Sequence, residues 1–194
     1  MRAAKLSVIV LLIGLLAACG FRLRGSSDLP AAKLPFATIA LGVEPTSEFY
    51  AQLKRTIEAS SPGTKVISDT TQAEAVLAVL GDNNQKTILS LNAAGRAREY
   101  QLERTFMFKV LAKGSATAPA APVKYTDVPV EAPTEYIAAS AITVRRQMSF
   151  SDDLVLSKES EEASLWRDMQ SDLVQQLMRR LAAAKPQPVK VDGK

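Results

Sequence analysis

Apolar and polar positions alternate most clearly between Arg96 and Ala112. There Tyr100, Leu102, Phe106, Phe108 and Val110 fall on one parity, and Glu99, Gln101, Glu103, Thr105 and Lys109 on the other. A period of two predicts a strand with one face buried, and Arg104 interrupts its apolar face. Upstream, Phe36–Val43 is a short apolar run that reads as a first strand. Thr46 or Ser47 then precedes a segment to Ser60 in which Phe49, Tyr50, Leu53 and Ile57 recur at helical spacing. Ser61-Pro62-Gly63 ends that helix, because proline cannot continue it. A short strand is expected at Lys65–Ser68. Glu74–Leu80 is apolar on both parities, as in a strand covered on both sides, although period alone fits a helix too. Lys86–Leu91 continues as strand and Asn92-Ala93-Ala94-Gly95 supplies a turn, so 74–91 and 96–112 read as one long antiparallel hairpin.

Residues 113–133 hold four prolines and several alanines, and read as a flexible loop. Tyr136–Phe150 alternates again, with Ile142, Val144 and Met148 opposed to Thr143, Arg145 and Gln147. Ser157 or Ser160 is the expected cap of a last helix. In it Leu165, Met169, Leu173, Leu177 and Leu181 repeat every fourth residue, with Glu159, Glu161 and Glu162 near the start and Arg179 and Arg180 near the end, as the helix dipole favours. The order β-α-β-β-β-(loop)-β-α predicts an α+β two-layer sandwich, two helices packed on one mostly antiparallel four- to five-stranded sheet. The expected domain is 36–183, behind an extended leader 19–35 and ahead of a flexible tail 184–194.

The N-terminus changes the picture. Arg2 and Lys5 precede the apolar run Leu6–Leu16, which at eleven residues is too short to span a bilayer but fits the core of an export signal. Leu16-Ala17-Ala18-Cys19 resembles the bacterial lipobox. Residues 1–18 are therefore expected to be removed and Cys19 to carry the lipid, and Gly20 after it points to the outer membrane. Cys19 is the chain's one cysteine, so a disulfide framework is ruled out. Acyl chains at about 0.8 kcal/mol per buried CH₂ would hold such an N-terminus to a membrane.

Charge and chemistry narrow the function by exclusion. Without residues 1–18, which carry two basic side chains, 22 basic residues face 20 acidic ones, a net charge of +2, which gives no basis for nucleic-acid binding. There is no histidine, which removes the usual zinc and iron ligand sets and histidine-assisted nucleophilic catalysis. No GxSxG, SxxK or glycine-rich phosphate loop occurs. The expectation is a protein without enzymatic activity, metal or cofactor.

Several short segments, taken in order, resemble a known family. Cys19-Gly20-Phe21-Arg22-Leu23-Arg24-Gly25 is similar to the mature start of the lipopolysaccharide-assembly lipoproteins. Gly95–Leu102 (GRAREYQL) resembles their hairpin turn and following strand, Arg145–Phe150 (RRQMSF) their last strand, and Leu156-Ser157-Lys158-Glu159 their helix start. The loop 113–133 is longer than that pattern. The resemblance implies a plug subunit of an outer-membrane β-barrel, anchored by its N-terminal lipid, that promotes assembly of the barrel and binds lipopolysaccharide during insertion into the outer leaflet. It also implies ligand contacts at the hairpin tip and the helix-start lysine. Lys158 matches the latter. At the tip Ala93 or Ala94 stands where a basic residue is expected, and Arg96 or Arg98 substitutes for it. Arginine and lysine suit lipid A phosphates through charge-assisted hydrogen bonds. The plainer reading of Arg96 and Arg98 is solvated edge charges. Arg145 and Arg146, on opposite faces, take the same plainer reading of solvated charges. The alternative function is a lipid- or lipoprotein-binding carrier not tied to a barrel. A lipoprotein-localisation receptor would need about ten strands, a pilotin helical repeats, and a peptidoglycan enzyme catalytic groups. Cys19→Ala is expected to abolish incorporation of a radiolabelled fatty acid and leave an unprocessed precursor. Persistent labelling would remove the lipoprotein reading.

Overall fold

The computed structural model describes residues 33–113, 134–150 and 155–188, so Cys19, the leader to residue 32, most of the loop 113–133 and the last six residues lie outside it. The elements are β1 (Thr38–Leu41), α1 (Glu48–Ser60), β2 (Lys65–Ile67), β3 (Ala75–Leu91), β4 (Ala97–Ala112), β5 (Thr134–Ser149), α2 (Val155–Ala183) and β6 (Gln187–Pro188). They form one mixed sheet in the order β2-β1-β3-β4-β5-β6, with the apolar faces of both helices buried against it. The α+β class expected from the pattern holds, with two differences. The sheet has six strands rather than four or five, and β1 pairs in parallel with both β2 and β3. The sixth strand lies in the segment read as tail: Ala184 is buried and Gln187–Pro188 pair with Thr134–Glu135. A two-residue edge strand has no periodicity to detect, and it tolerates Pro188 because an edge need not donate on both sides.

Local chemistry sets the helix boundaries. Ser47, not Thr46, is the N-cap of α1: its Oγ accepts a hydrogen bond from the Tyr50 N–H at 3.1 Å. The helix closes at Ser61, whose N–H donates to Ile57 O. Phe49, Leu53 and Ile57 are buried and Tyr50 is half-buried, as their spacing predicts. α2 begins at Val155, so Ser157 and Ser160 lie within the helix rather than capping it, and the capping position falls outside the described residues. Its stripe Met169, Leu173, Leu177 and Leu181 is fully buried.

The core holds these faces against the even-numbered side of β4. Phe106 and Phe108 stack at 5.7 Å, and Phe49 of α1 meets Phe106 edge-on at 5.3 Å. β3 enters this core only at its start. Ala75 and Leu77 are buried on one face and Val76 on the other, while Leu80 is 46% exposed. The strand covered on both sides is therefore Ala75–Leu77, and its second half leaves the cover behind. A register shift between Val79 and Gly81 marks the change. At the same end of the sheet the Glu74 carboxylate accepts the Ala37 N–H and the Tyr136 hydroxyl. Burial first, and then the Glu74 charge, pushes the Tyr136 phenol above its ordinary value.

Arg104, the interruption in the apolar face of β4, is 7% exposed. Its Nε and Nη2 donate to the two Asp82 oxygens at 3.0 and 2.7 Å, and Nη1 donates to Gln170 Oε1 at 3.3 Å. The guanidinium lies 5.0 Å from the Phe49 ring centre. Gln170 in turn donates to Gln52 Oε1 at 2.8 Å, so one cation in the sheet joins both helices. Arg104→Ala is expected to lower unfolding stability by about 2 kcal/mol in denaturant titration, because a buried side chain loses its packing and hydrogen bonds and Asp82, one third exposed, keeps a charge without its partner. Adding Asp82→Ala should restore part of the loss. A change below roughly 0.5 kcal/mol, the range of ordinary surface substitutions, would mean that the cation only fills space.

Candidate functional site

The hairpin β3–β4 runs past the helical layer and closes in a tight turn. Asn92 Oδ1 accepts the N–H groups of Ala94 and Arg96 at 2.9 and 3.0 Å, and Asn92 N–H donates to Arg96 O at 2.8 Å. Gly95 takes a φ of 75°, a left-handed conformation that residues with a Cβ adopt at a cost. The sequence Asn-Ala-Ala-Gly therefore fixes where Arg96 and Arg98 emerge, both exposed at the strand start.

Lys158 arrives at the same end from a different element. The Phe150 N–H donates to Arg98 O at 2.7 Å, aligning the end of β5 with the tip, and the neighbouring Ser149 Oγ receives Lys158 Nζ at 3.3 Å. The fold thus brings the helix-start lysine beside the tip arginines. Lys158 is less available than the sequence suggests. Its ammonium is paired with Glu161 at 2.7 Å, and the side chain is only 15% exposed. That pair offsets the unfavourable position of a cation in the first turns of a helix.

Sequence reasoning missed the apolar half of this end. Ile88, Leu89 and Leu91 are 51, 45 and 57% exposed on the strand leading into the turn. Their apolar run reads equally as a buried strand, so no local signal marks them as open. Tyr100 and Phe150 meet edge-on at 5.5 Å, with Lys86 Nζ 4.4 Å over the Tyr100 ring and ion-paired with Glu162 at 2.5 Å. Arg145 and Arg146 are structural: Arg145 pairs across the strands with Glu103 at 2.6 Å, and Arg146 pairs with Asp172 of α2. The Glu103 carboxylate, by hydrogen bond and charge, raises the Arg145 pKa.

A hollow of about 620 Å³ at the opposite end is lined by Leu34, Phe36, Ser61, Thr64 and Glu74. Its polar groups hold the chain to itself. Ser61 Oγ meets Thr64 Oγ1 at 3.1 Å, Thr64 Oγ1 donates to Phe36 O at 2.9 Å, and Glu74 takes the Ala37 N–H. The hairpin end, where cations stand beside exposed apolar side chains, is the better candidate.

Comparison with known families matches residues 36–181 to LptE, the lipopolysaccharide-assembly family. The chain belongs to this family. The curated relative "LPS-assembly lipoprotein LptE" of Pectobacterium atrosepticum is 26% identical over 177 residues, covering 90% of this chain and 82% of that protein. Among solved structures, the uncharacterized lipoprotein B of Nitrosomonas europaea is 28% identical with a TM-score of 0.62, over 84% of this chain and 91% of that one. A minor lipoprotein of Acinetobacter baumannii, 19% identical with a TM-score of 0.58 over 80% and 99% of the two chains, shares the fold. Membership in the LptE family assigns this chain a role in lipopolysaccharide assembly. Gly95→Ala is expected to cost about 1 kcal/mol and to raise hydrogen exchange of the Ala94 and Arg96 amides at the tip. Unchanged exchange would show that the turn tolerates a Cβ.

Proposed function

We propose that this protein is an outer-membrane lipoprotein, anchored through Cys19, that pairs with and plugs the β-barrel lipopolysaccharide-assembly protein. In this reading it promotes assembly of the barrel and binds lipopolysaccharide at the hairpin end, with no catalytic step of its own. One observation carries the ligand part: Arg96 and Arg98 emerge from the turn beside Lys158, next to exposed Ile88, Leu89 and Leu91. A lipopolysaccharide lipid moiety joins phosphates to acyl chains, and this surface offers cations and apolar side chains within one strand end. Charge on the ligand is matched by donors that hydrogen-bond phosphate, and the acyl part by area that water otherwise covers. The anchor part rests on the lipobox at Leu16–Cys19 and on the lipoprotein relatives.

The reading is tested by reversing Arg96, Arg98 and Lys158 to glutamate together. Hydrogen bonds to charged groups contribute roughly 1.5–3 kcal/mol each when desolvated and less when exposed. With Lys158 already shared with Glu161, the expected outcome is about a ten- to hundredfold weaker affinity for purified lipopolysaccharide, with undiminished co-purification of the barrel. Unchanged affinity in a chain of native circular dichroism would return the three side chains to surface charges. Loss of the barrel instead would assign them to assembly.

A further inference from the structure

The ion pairs among the described residues lie on the hairpin side of the domain, where Lys86, Arg104, Arg145, Arg146 and Lys158 each have an acid. The opposite end is built otherwise. A row of main-chain contacts crosses it from edge to edge. Lys65 N–H donates to Ala37 O and Lys113 N–H to Glu74 O, both at 2.9 Å, and Gln187 of β6 pairs with Glu135 of β5. Neighbouring strands stand about 4.8 Å apart, so the end of this six-stranded sheet is roughly 24 Å wide. Lys65 stands at one edge, Lys113 in the middle, and Lys185 just ahead of β6 at the other edge. Lys33 precedes β1 beside Ser61–Thr64, and Arg179 lies in the last two turns of α2. All five are exposed, and none has an ion pair among the described residues. The acids here are Glu58, Glu74 and Glu135, and Glu74 is occupied by the Ala37 N–H and the Tyr136 hydroxyl.

We propose that this end lies against the headgroups of a lipid bilayer, its five cations set among the phosphates of anionic phospholipids. This contact rests on the anchor proposed above, because the chain enters the domain at this end. Lys33 is 14 residues from Cys19, at most about 50 Å of extended chain. The 17 residues of β3 put the hairpin tip about 55 Å further off, so a lipid at Cys19 keeps the cationic end, not the tip, nearest the membrane. A tether of this length makes a weak attraction effective, because the surface is already at hand. Each cation close to an anionic surface strengthens attachment roughly fivefold, and the pull fades over about 8 Å at physiological salt. The residue types favour lipid over an acidic protein face. Four of the five cations are lysines, point charges on flexible stems, whereas a fixed protein partner is better met by bidentate arginine. Headgroups in a fluid leaflet move to meet charges spread over some 24 Å, and no shaped pocket is needed.

The test uses the full mature chain in vesicles of phosphatidylcholine, alone or with about one third phosphatidylglycerol. Gly63→Cys carries a fluorophore at the cationic end, where an added Cβ meets open space, and Ala93→Cys carries it at the hairpin tip. Phosphatidylglycerol should lower the access of acrylamide, a neutral quencher, to the residue-63 dye at least about threefold and leave the residue-93 dye unchanged. Salt at about 0.5 M should remove the protection. So should Lys33→Gln, Lys65→Gln, Lys113→Gln and Lys185→Gln together, with native circular dichroism. Equal quenching in the two vesicle types, or protection that survives the salt or the four substitutions, would overturn the proposal. So would protection that appears only when a second protein is added, which would give this end to an acidic protein surface. Flotation separates this contact from the anchor. A chain that floats with phosphatidylcholine yet leaves residue 63 unprotected by phosphatidylglycerol keeps its anchor and loses the headgroup contact. A chain that floats only with phosphatidylglycerol, and only with its four lysines, keeps the headgroup contact and loses the anchor.

Discussion

The guanidinium of Arg104 sits where a sheet that is apolar at one end must become polar at the other. Toward β6 the inner face is closed by Phe106, Phe108, Ile142 and the α2 stripe, and no charge is needed. Toward the hairpin tip the inner face carries Arg104, Arg146 and Lys86, each held to an acid: Asp82, Asp172 and Glu162. Two of those acids lie on α2, and Arg104 reaches the helices through Gln170 and Gln52. A buried cation is tolerated only with its donors filled, and here the bidentate carboxylate, the amide and the Phe49 ring fill them. Such pairs add less stability than well-packed apolar groups of the same volume. What they add is geometry, because Lys86–Glu162 and Arg146–Asp172 tie the sheet to α2, and Arg104 ties β4 to β3 and, through Gln170, to the helices.

Those ties decide what the far end can present. α2 starts beside the end of β5, so a lysine in its first turns lies next to a strand that aligns with Arg98. The turn at Asn92–Gly95 projects the arginines from the other side. Neither helix covers the last third of β3, and its apolar side chains remain in solvent. An exposed cluster of this kind is costly for a chain that stays alone. Large apolar exposure beside cations marks a surface made to meet something.

The polar outer face of the hairpin contrasts with this end. Thr105 and Thr143 meet across β4 and β5 at 3.2 Å, and Arg145 with Glu103 continues the ladder. Cross-strand pairs of this kind stabilise a sheet that must stand in a polar environment on one side.

The amino-acid order by itself determined the local elements. Period-two alternation set the inner face of β4 and β5, four-residue spacing set the buried stripes of both helices, and Asn-Ala-Ala-Gly set the turn, because each is a property of neighbours in the chain. The order also held the segments through which the family resemblance is read. Tertiary structure alone decided which strands adjoin. β1 lies between β2 and β3 in parallel, and Gln187–Pro188 return to β5, since pairing across long sequence separations depends on packing rather than on period. It likewise decided that Lys158 is shared with Glu161 and that Ile88, Leu89 and Leu91 stay open. An apolar run carries the same pattern whether a helix covers it or not. The cover arrives from a distant part of the chain, and here α2 turns toward β5.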